Sequence, residues 1–483
     1  MPERLLTAAS MLGQLASGAK RILVDRRHRL NLQRSTALDS HDGLRPQLWD
    51  ASVSAAGHLE IGGCDLTELA ARFGTPLLVL DRGRLEADYR RFRDAFERLY
   101  PKVEICYSYK TNPLPGALAV LHELGALAEV ISHFELWLAL SLGVSPESIL
   151  LNGPGKGEDA IELAVERGVK LINIDSLDEI ELVAAAARRH GRRQAVGVRV
   201  VTSVGWSSQF GLSIAEGEAL EAYRRLTGYE ELLPVGLHVH LGTAVRELRT
   251  YLQAIREVLT FVRRVRNAFG VDLSYLDLGG GFAVPTVRPY DAWDYRLMRH
   301  SWPPAPIDYD STPTPDEYAA AIIQVVRDFY PATSDAQPTV AFEPGRALTS
   351  SAQCLLLRAI TVKRGRRRTP AVILDGGKNL APPTAYEHHE LLPVTRAAAK
   401  RGRRYNFFGP LCHPGDELFI EQSFPEVVVG DLVAIMDAGA YFVPNQTNFS
   451  HPRPAAVIVD HGTATLLRKR ETFEDVVRND HWK

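Results

Sequence analysis

Two residues in this chain stand where they could share one piece of chemistry. Lys110 lies near the end of the apolar run Val103-Glu-Ile-Cys-Tyr-Ser-Tyr-Lys110-Thr-Asn112, and Glu343 opens Glu343-Pro-Gly-Arg346 after a much later run. An amine can form a Schiff base with an aldehyde, and a carboxylate can keep a pyridine nitrogen protonated. A pyridine aldehyde cofactor needs both. Lys110 and Glu343 are far apart in sequence, so this chemistry depends on an architecture that brings them together.

The pattern between them supplies one. Strand-like runs occur at 103–109, 126–132, 149–153, 170–175, 195–201, 235–241, 275–278 and 339–342, with helical patterns such as 159–167, 176–190 and 245–269 between most of them. Strands alternating with helices imply a parallel sheet. Eight such units over about 240 residues fit a closed (β/α)8 barrel, which typically takes about 250. The runner-up, an open doubly wound sheet, lacks a Gly-x-Gly-x-x-Gly after the first strand. The expected fold class is therefore α/β, a (β/α)8 barrel. Short β-like runs at 354–362, 371–375, 417–420, 432–436 and 455–459 then imply a C-terminal antiparallel β domain. The expected organisation is an N-terminal extension over 1–48, a lead-in segment over 49–75 that could join the β domain, the barrel over 76–346 and the β domain over 347–483. Within the extension, Arg4 to Val24 suits an amphipathic helix. Asp65 is placed to cap a helix running to Phe73, residues 75–81 read as a strand, and the Pro-, Tyr- and Trp-rich stretch 285–315 reads as a long loop on the Lys110 face.

Active sites of such barrels form at the C-terminal ends of the strands. The polar residues there are Lys110-Thr-Asn112, Ser132-His133-Phe134-Glu135, Asn152-Gly153, His238-Val-His240-Leu-Gly242-Thr243, Asp277-Leu-Gly279-Gly280-Gly281 and Glu343-Pro-Gly345-Arg346. Three adjacent glycines let backbone N–H groups approach a phosphate, and arginine matches phosphate geometry. A plain flexible turn explains the glycines as often. Of the two histidines, the reading puts His240 inside the barrel and His238 outward.

Composition excludes other classes. The chain has 483 residues, a formal net charge of -2 and 45% hydrophobic residues, an ordinary globular balance that does not suggest a nucleic-acid partner. The run Arg26-Arg27-His28-Arg29 reads as a solvated surface. No uninterrupted apolar stretch reaches the 18 or so residues of a membrane span, and no secretory pattern opens the chain. Cys64, Cys106, Cys354 and Cys412 show no metal-ligand or redox spacing, so no metal site is expected and a reducing cytoplasm is. Cys106 and Cys354 lie in apolar runs and read as core.

From Gly57 to Pro454 the chain resembles the fold type III pyridoxal-phosphate decarboxylases, the diaminopimelate/ornithine decarboxylase family, and is most similar to the diaminopimelate branch. Tyr-Ser-Tyr-Lys110-Thr-Asn looks like the cofactor-lysine motif. Asn173-Ile-Asp-Ser-Leu-Asp-Glu179, Ser208-Gln-Phe-Gly211, Gly236-Leu-His-Val-His240-Leu-Gly242, Glu343-Pro-Gly-Arg346, Gly409-Pro-Leu-Cys412 and Asp437-Ala-Gly-Ala-Tyr441 match further blocks. The resemblance implies pyridoxal 5'-phosphate as cofactor, an amino-acid substrate and a homodimer whose sites are shared. It makes Lys110, Cys412 and His240 catalytic: Lys110 holds the cofactor, His240 stacks on its ring, and Cys412, from the partner, protonates Cα. Glu343 holds the pyridine nitrogen. Thr243, Gly280, Gly281, Gly345 and Arg346 surround the phosphate, with Tyr441 reaching in from the partner. Arg346, Tyr386, His413 and Asp416 face the substrate.

Three departures concern the far end of that substrate. Diaminopimelate decarboxylases carry Arg-Pro-x-Leu-Tyr where this chain has Pro382-Pro-Thr-Ala-Tyr386. They follow the reactive cysteine with Glu, here His413. Their Asn-Tyr-Asn appears as Thr447-Asn448-Phe449. Losing a charged hydrogen-bond partner forfeits about 1.5–3 kcal/mol per bond. The expectation is a decarboxylase for an amino acid other than meso-diaminopimelate, in specialised metabolism of a siderophore or antibiotic kind. The alternatives are a diaminopimelate decarboxylase of lysine biosynthesis, an amino-acid racemase and a non-catalytic regulatory homologue.

Overall fold

Eight parallel strands close on themselves in the computed structural model, which describes residues 23–27, 29–30, 45–331, 337–365 and 369–481. The expected helix from Arg4 to Val24 falls outside these residues except for Leu23 and Val24. The barrel strands are Val103–Ser108, Leu127–Val130, Ile149–Leu151, Leu171–Ile174, Gln194–Val201, Leu232–His238, Tyr275–Asp277 and Thr339–Phe342. Each pairs with the next in parallel, the fourth joins the fifth, and the eighth returns to the first through Val340, Ala341 and Phe342 beside Val103, Glu104 and Ile105. Their near-continuous apolar content follows from burial on both faces, against helices outside and against one another inside.

Helices follow each strand, and after the eighth only the short Arg346–Thr349 remains. The helix Arg82–Glu97, which precedes the first strand, covers that gap: Phe96 lies 4.1 Å from Phe342, and Phe92 lies 4.8 Å from Phe282, centroid to centroid. Asp81 caps it by accepting from the Arg84 N–H, as Asp65 caps Leu66–Phe73 through Thr67.

The second sheet is mostly antiparallel, with parallel pairs between Leu77–Asp81 and Ala455–Asp460 and between Ala371–Leu374 and Arg403–Phe408. Leu77–Asp81 corrects the expected boundary at residue 76. This strand lies between Gln353–Lys363 and Ala455–Asp460 in the β domain, not in the barrel. All five of its residues are buried, so no alternation in the sequence marks which sheet it joins. The lead-in segment packs there too, with Trp49, Leu59, Ile61 and Leu66 in one core with Leu77, Leu356 and Val457.

The stretch 285–315 is tied down. Arg288–Pro289 pairs antiparallel with Glu387–His388. Arg288 grips Asp294 at 2.6 and 3.0 Å and the Ala305 carbonyl at 2.8 Å, and the Tyr309 hydroxyl donates to Glu390 at 2.6 Å. The barrel mouth and the β domain are thereby held in one register around Tyr386. Among the described residues no helix is long and apolar enough to cross a membrane.

Candidate active site

Lys110 sits in the turn Tyr109–Thr111 that ends the first strand, and its amine lies 2.9 Å from Glu129 on the second. Glu129 is buried and also accepts from Ser108 at 2.5 Å and Asn152 at 3.1 Å. Burial works against the Lys110 charge, but Glu129 and then Glu343 outweigh it and raise the amine's pKa above its ordinary 10.5. Asn152 spans the barrel, donating to Glu343 at 2.5 Å while accepting from Asn173 at 2.7 Å. The lysine and the eighth-strand glutamate thus belong to one polar network.

Glu343 lies 3.4 Å from both His238 Nε2 and His240 Nδ1. Burial raises a carboxyl's pKa, yet His238 and Lys110 overcome it and hold Glu343 well below the usual carboxylate range. Buried Asp277 is pushed well above that range, first by desolvation and then by Glu343. His240 is pushed down by burial, so its ring is neutral at pH 7, and its Nδ1 accepts the Gly280 N–H at 3.2 Å. His238 corrects an expectation. It is buried and faces Glu343, because strand residues two apart share a face. His238, His240 and Glu343 come close enough to hold a metal ion by geometry alone.

A small pocket joins these groups. It is lined by Ser108, Lys110, Thr111, His240, Gly242, Thr243, Gly281, Phe282, Glu343, Gly345, Arg346 and Tyr441. Lys110, His240, Thr243, Glu343, Gly281, Gly345, Arg346 and Tyr441 come together here as the sequence suggested. Gly280 sits just behind: a Cβ there would collide with the Glu343 carbonyl. Tyr441 departs from its expected origin. It enters from its own chain, its N–H bound to the Thr111 carbonyl at 2.8 Å and its ring 5.3 Å from the Arg346 guanidinium carbon.

The substrate-facing set is more scattered. Arg346 does not offer its fork to a ligand: Nη1 and Nη2 both hold buried Glu387. Tyr386 neighbours Arg346 and Tyr441 electrostatically and is half exposed. Cys412 and His413 lie exposed in the β domain, outside this pocket. Asp416 lies outside the pocket. It is buried, and its carboxylate accepts from the Lys378 N–H at 2.7 Å and the Leu411 N–H at 2.8 Å, which braces the Cys412 loop. Glu129 and Glu387 escaped the sequence reading, which placed Asn152 at a strand end but gave it no role. Glu129 and Asn152 carried a usable signal, a polar side chain inside or just after an apolar strand, which burial obliges to find a partner.

The pocket suits a phosphate-bearing pyridine. Arg346 Nε and Thr111 Oγ1 are buried and lack a protein partner. Beside them, a Cβ on Gly281 would come 2.5 Å from the Gly242 carbonyl and one on Gly345 would collide with Thr111. Unused donors in a cradle open only to glycine suit an anion. Ionised Glu343 and the Lys110 amine suit a ring nitrogen and an aldehyde.

Comparison with known proteins agrees with this chemistry. The family described as "Pyridoxal-dependent decarboxylase, pyridoxal binding domain" matches residues 82–350. A diaminopimelate decarboxylase of Methanothermobacter thermautotrophicus is 31% identical over 446 residues, 89% of this chain and 97% of that one. One from Actinosynnema pretiosum subsp. auranticum is 34% identical over 461 residues, 92% and 98% of the two chains. The crystal structure of diaminopimelate decarboxylase from M. jannaschii with L-lysine superposes with a TM-score of 0.81 at 27% identity, covering 90% of this chain and 98% of that one.

Proposed function

The chain belongs to the pyridoxal-dependent decarboxylases, and from that premise we propose that it removes the α-carboxylate of an amino acid other than meso-diaminopimelate. When bound, pyridoxal phosphate supplies an electron sink for the charge left at Cα as CO2 departs. Lys110 would hold the cofactor at its aldehyde, Glu343 would hold its ring nitrogen and His240 would pack against its ring. Thr111, Thr243, Gly281, Gly345, Tyr441 and the free Nε of Arg346 would receive its phosphate. Cys412 delivers a proton to Cα, a general-acid role that a thiol can take. Because Cys412 is exposed and does not line its own chain's pocket, the working unit in this reading is a homodimer in which each protomer completes its partner's site.

One observation carries the substrate reading. The guanidinium that neighbours Tyr386 is already occupied by Glu387, both side chains being buried. Pro382, where diaminopimelate decarboxylases carry arginine, supplies no replacement. A carboxylate at the far end of the substrate would find no free fork at these positions, and leaving it unpaired in a buried site is costly.

A second reading is favoured by the relatives named above: diaminopimelate decarboxylation itself. CO2 release from meso-diaminopimelate by cofactor-loaded protein decides between them. Little or no release is expected. A kcat/KM of about 10⁴ M⁻¹s⁻¹ or more would establish the second reading.

A further inference from the structure

Trp206 is 47% exposed, yet its ring lies 6.0 Å from that of His240. The loop that carries it is pressed onto the segment just after the sixth strand. A Cβ on Gly205 would lie 3.0 Å from the Leu241 backbone, and one on pocket-lining Gly242 would lie 3.2 Å from the Trp206 indole nitrogen. Behind the indole a stack is built. Phe210 lies 5.9 Å away and tilted by only 15°, and the Arg199 guanidinium lies 4.3 Å from the Phe210 ring. Arg199 is fixed by Asp175 at 3.3 Å, and Asp175 also accepts the Gly211 N–H at 2.9 Å. The loop is thus anchored at both ends, and the indole is held in place while about half its surface stays open.

A large aromatic surface, fixed at the rim of a reaction site and left uncovered, is suited to receive a side chain. The charges around the pocket indicate which kind. Lys110 lies against Glu129, Arg346 is held by Glu387, and Glu343 is the group that would hold the cofactor's ring nitrogen. Among the described residues that line the pocket, no cation or anion is left to pair with a charged side-chain end. An apolar group against Trp206 gains burial without stranding a charge. We propose that Trp206 is the specificity wall of this site and that it receives an uncharged, apolar or aromatic substrate side chain. The proposal rests on the reading that meso-diaminopimelate is not the substrate.

The test titrates cofactor-loaded wild type, Trp206→Phe and Trp206→Ala with L-phenylalanine, L-leucine, L-lysine and L-glutamate. Binding is read from the absorbance of the bound cofactor and from tryptophan fluorescence, with CO2 release from meso-diaminopimelate as a separate arm. Wild type should bind the two apolar amino acids at least about tenfold more tightly than the two charged ones, and Trp206→Phe should keep most of that preference. Trp206→Ala should lose it while retaining its cofactor content and its L-lysine affinity. Equal wild-type affinities, an unchanged preference in Trp206→Ala, or loss of cofactor from that variant would each overturn the wall. Efficient CO2 release from meso-diaminopimelate overturns the underlying substrate assignment, and the uncharged class with it.

Discussion

Arg346 and Glu387 meet in a buried two-point ion pair, Nη1 to Oε2 at 3.0 Å and Nη2 to Oε1 at 2.5 Å. Arg346 begins the last turn of the barrel, and Glu387 begins the short strand that pairs with Arg288–Pro289. The pair therefore fastens the barrel mouth to the β domain and occupies both terminal nitrogens of the arginine fork. Burial raises the Glu387 pKa, but Arg346 and His389 outweigh it and keep the carboxylate ionised. A fork matched to a carboxylate in this way has little affinity left for another.

Glu387→Gln tests both consequences. Removing one partner of a buried pair leaves an uncompensated charge and costs about 3–5 kcal/mol, so the melting temperature should fall by several degrees. The released guanidinium should bind anions. Inorganic phosphate or glutarate should then raise the melting temperature of the variant more than that of wild type. If the two proteins gain equally, Arg346 is not freed by the change.

The Lys110 amine predicts a pH dependence for cofactor uptake. Glu129 and Glu343 raise its pKa, so the amine is protonated through neutral pH, and only the neutral form can bond to an aldehyde. Loading of cofactor-free protein should speed up about tenfold per pH unit between roughly pH 7 and 9. Glu129→Gln removes the largest influence that raises the pKa, so it should load faster than wild type at every pH between 7 and 9. Stopped-flow absorbance reads both. Identical profiles would mean that Glu129 does not set the protonation of Lys110.

These groups show what the sequence could and could not disclose. The barrel was legible because each strand is an apolar run followed by a helical pattern, and the lysine and glutamate at the strand ends were found by position alone. Leu77–Asp81 reads the same in either sheet, since burial on both faces erases its alternation. The docking of 285–315 on Glu387–His388 depends on backbone pairing and on Arg288, which no periodicity marks. Trp206 drew no notice in the sequence, because its significance lies in its proximity to His240, on a different strand end.

Glu343 links activity to acid stability. Its folded pKa lies well below the ordinary 4.5, so its stabilising contribution is complete above about pH 4.5 and is lost as pH falls through the folded value. Glu343→Gln should be less stable than wild type at pH 7, by about 3 kcal/mol. The difference should shrink as pH drops below about 4.5, seen in denaturation curves at stepped pH. CO2 release by the variant should fall by about 10²-fold or more, since a neutral amide cannot keep a ring nitrogen protonated. A stability gap that persisted at pH 3 would mean that Glu343 acts through packing and not through its charge.

The exposed Cys412 and the enclosed Lys110 give the most direct test of shared sites. Lys110→Ala and Cys412→Ala should each release almost no CO2. If every site takes its lysine from one protomer and its cysteine from the partner, a mixed dimer carries one site with both residues intact and one with neither. Mixing equal amounts under conditions that allow subunit exchange makes about half the dimers mixed, so about a quarter of wild-type activity should return. Recovery should follow the exchange rate and be absent when either variant is incubated alone. If mixing restores nothing although exchange is shown by mass spectrometry, the cysteine does not cross between protomers, and the proton at Cα must come from a group within the Lys110 pocket.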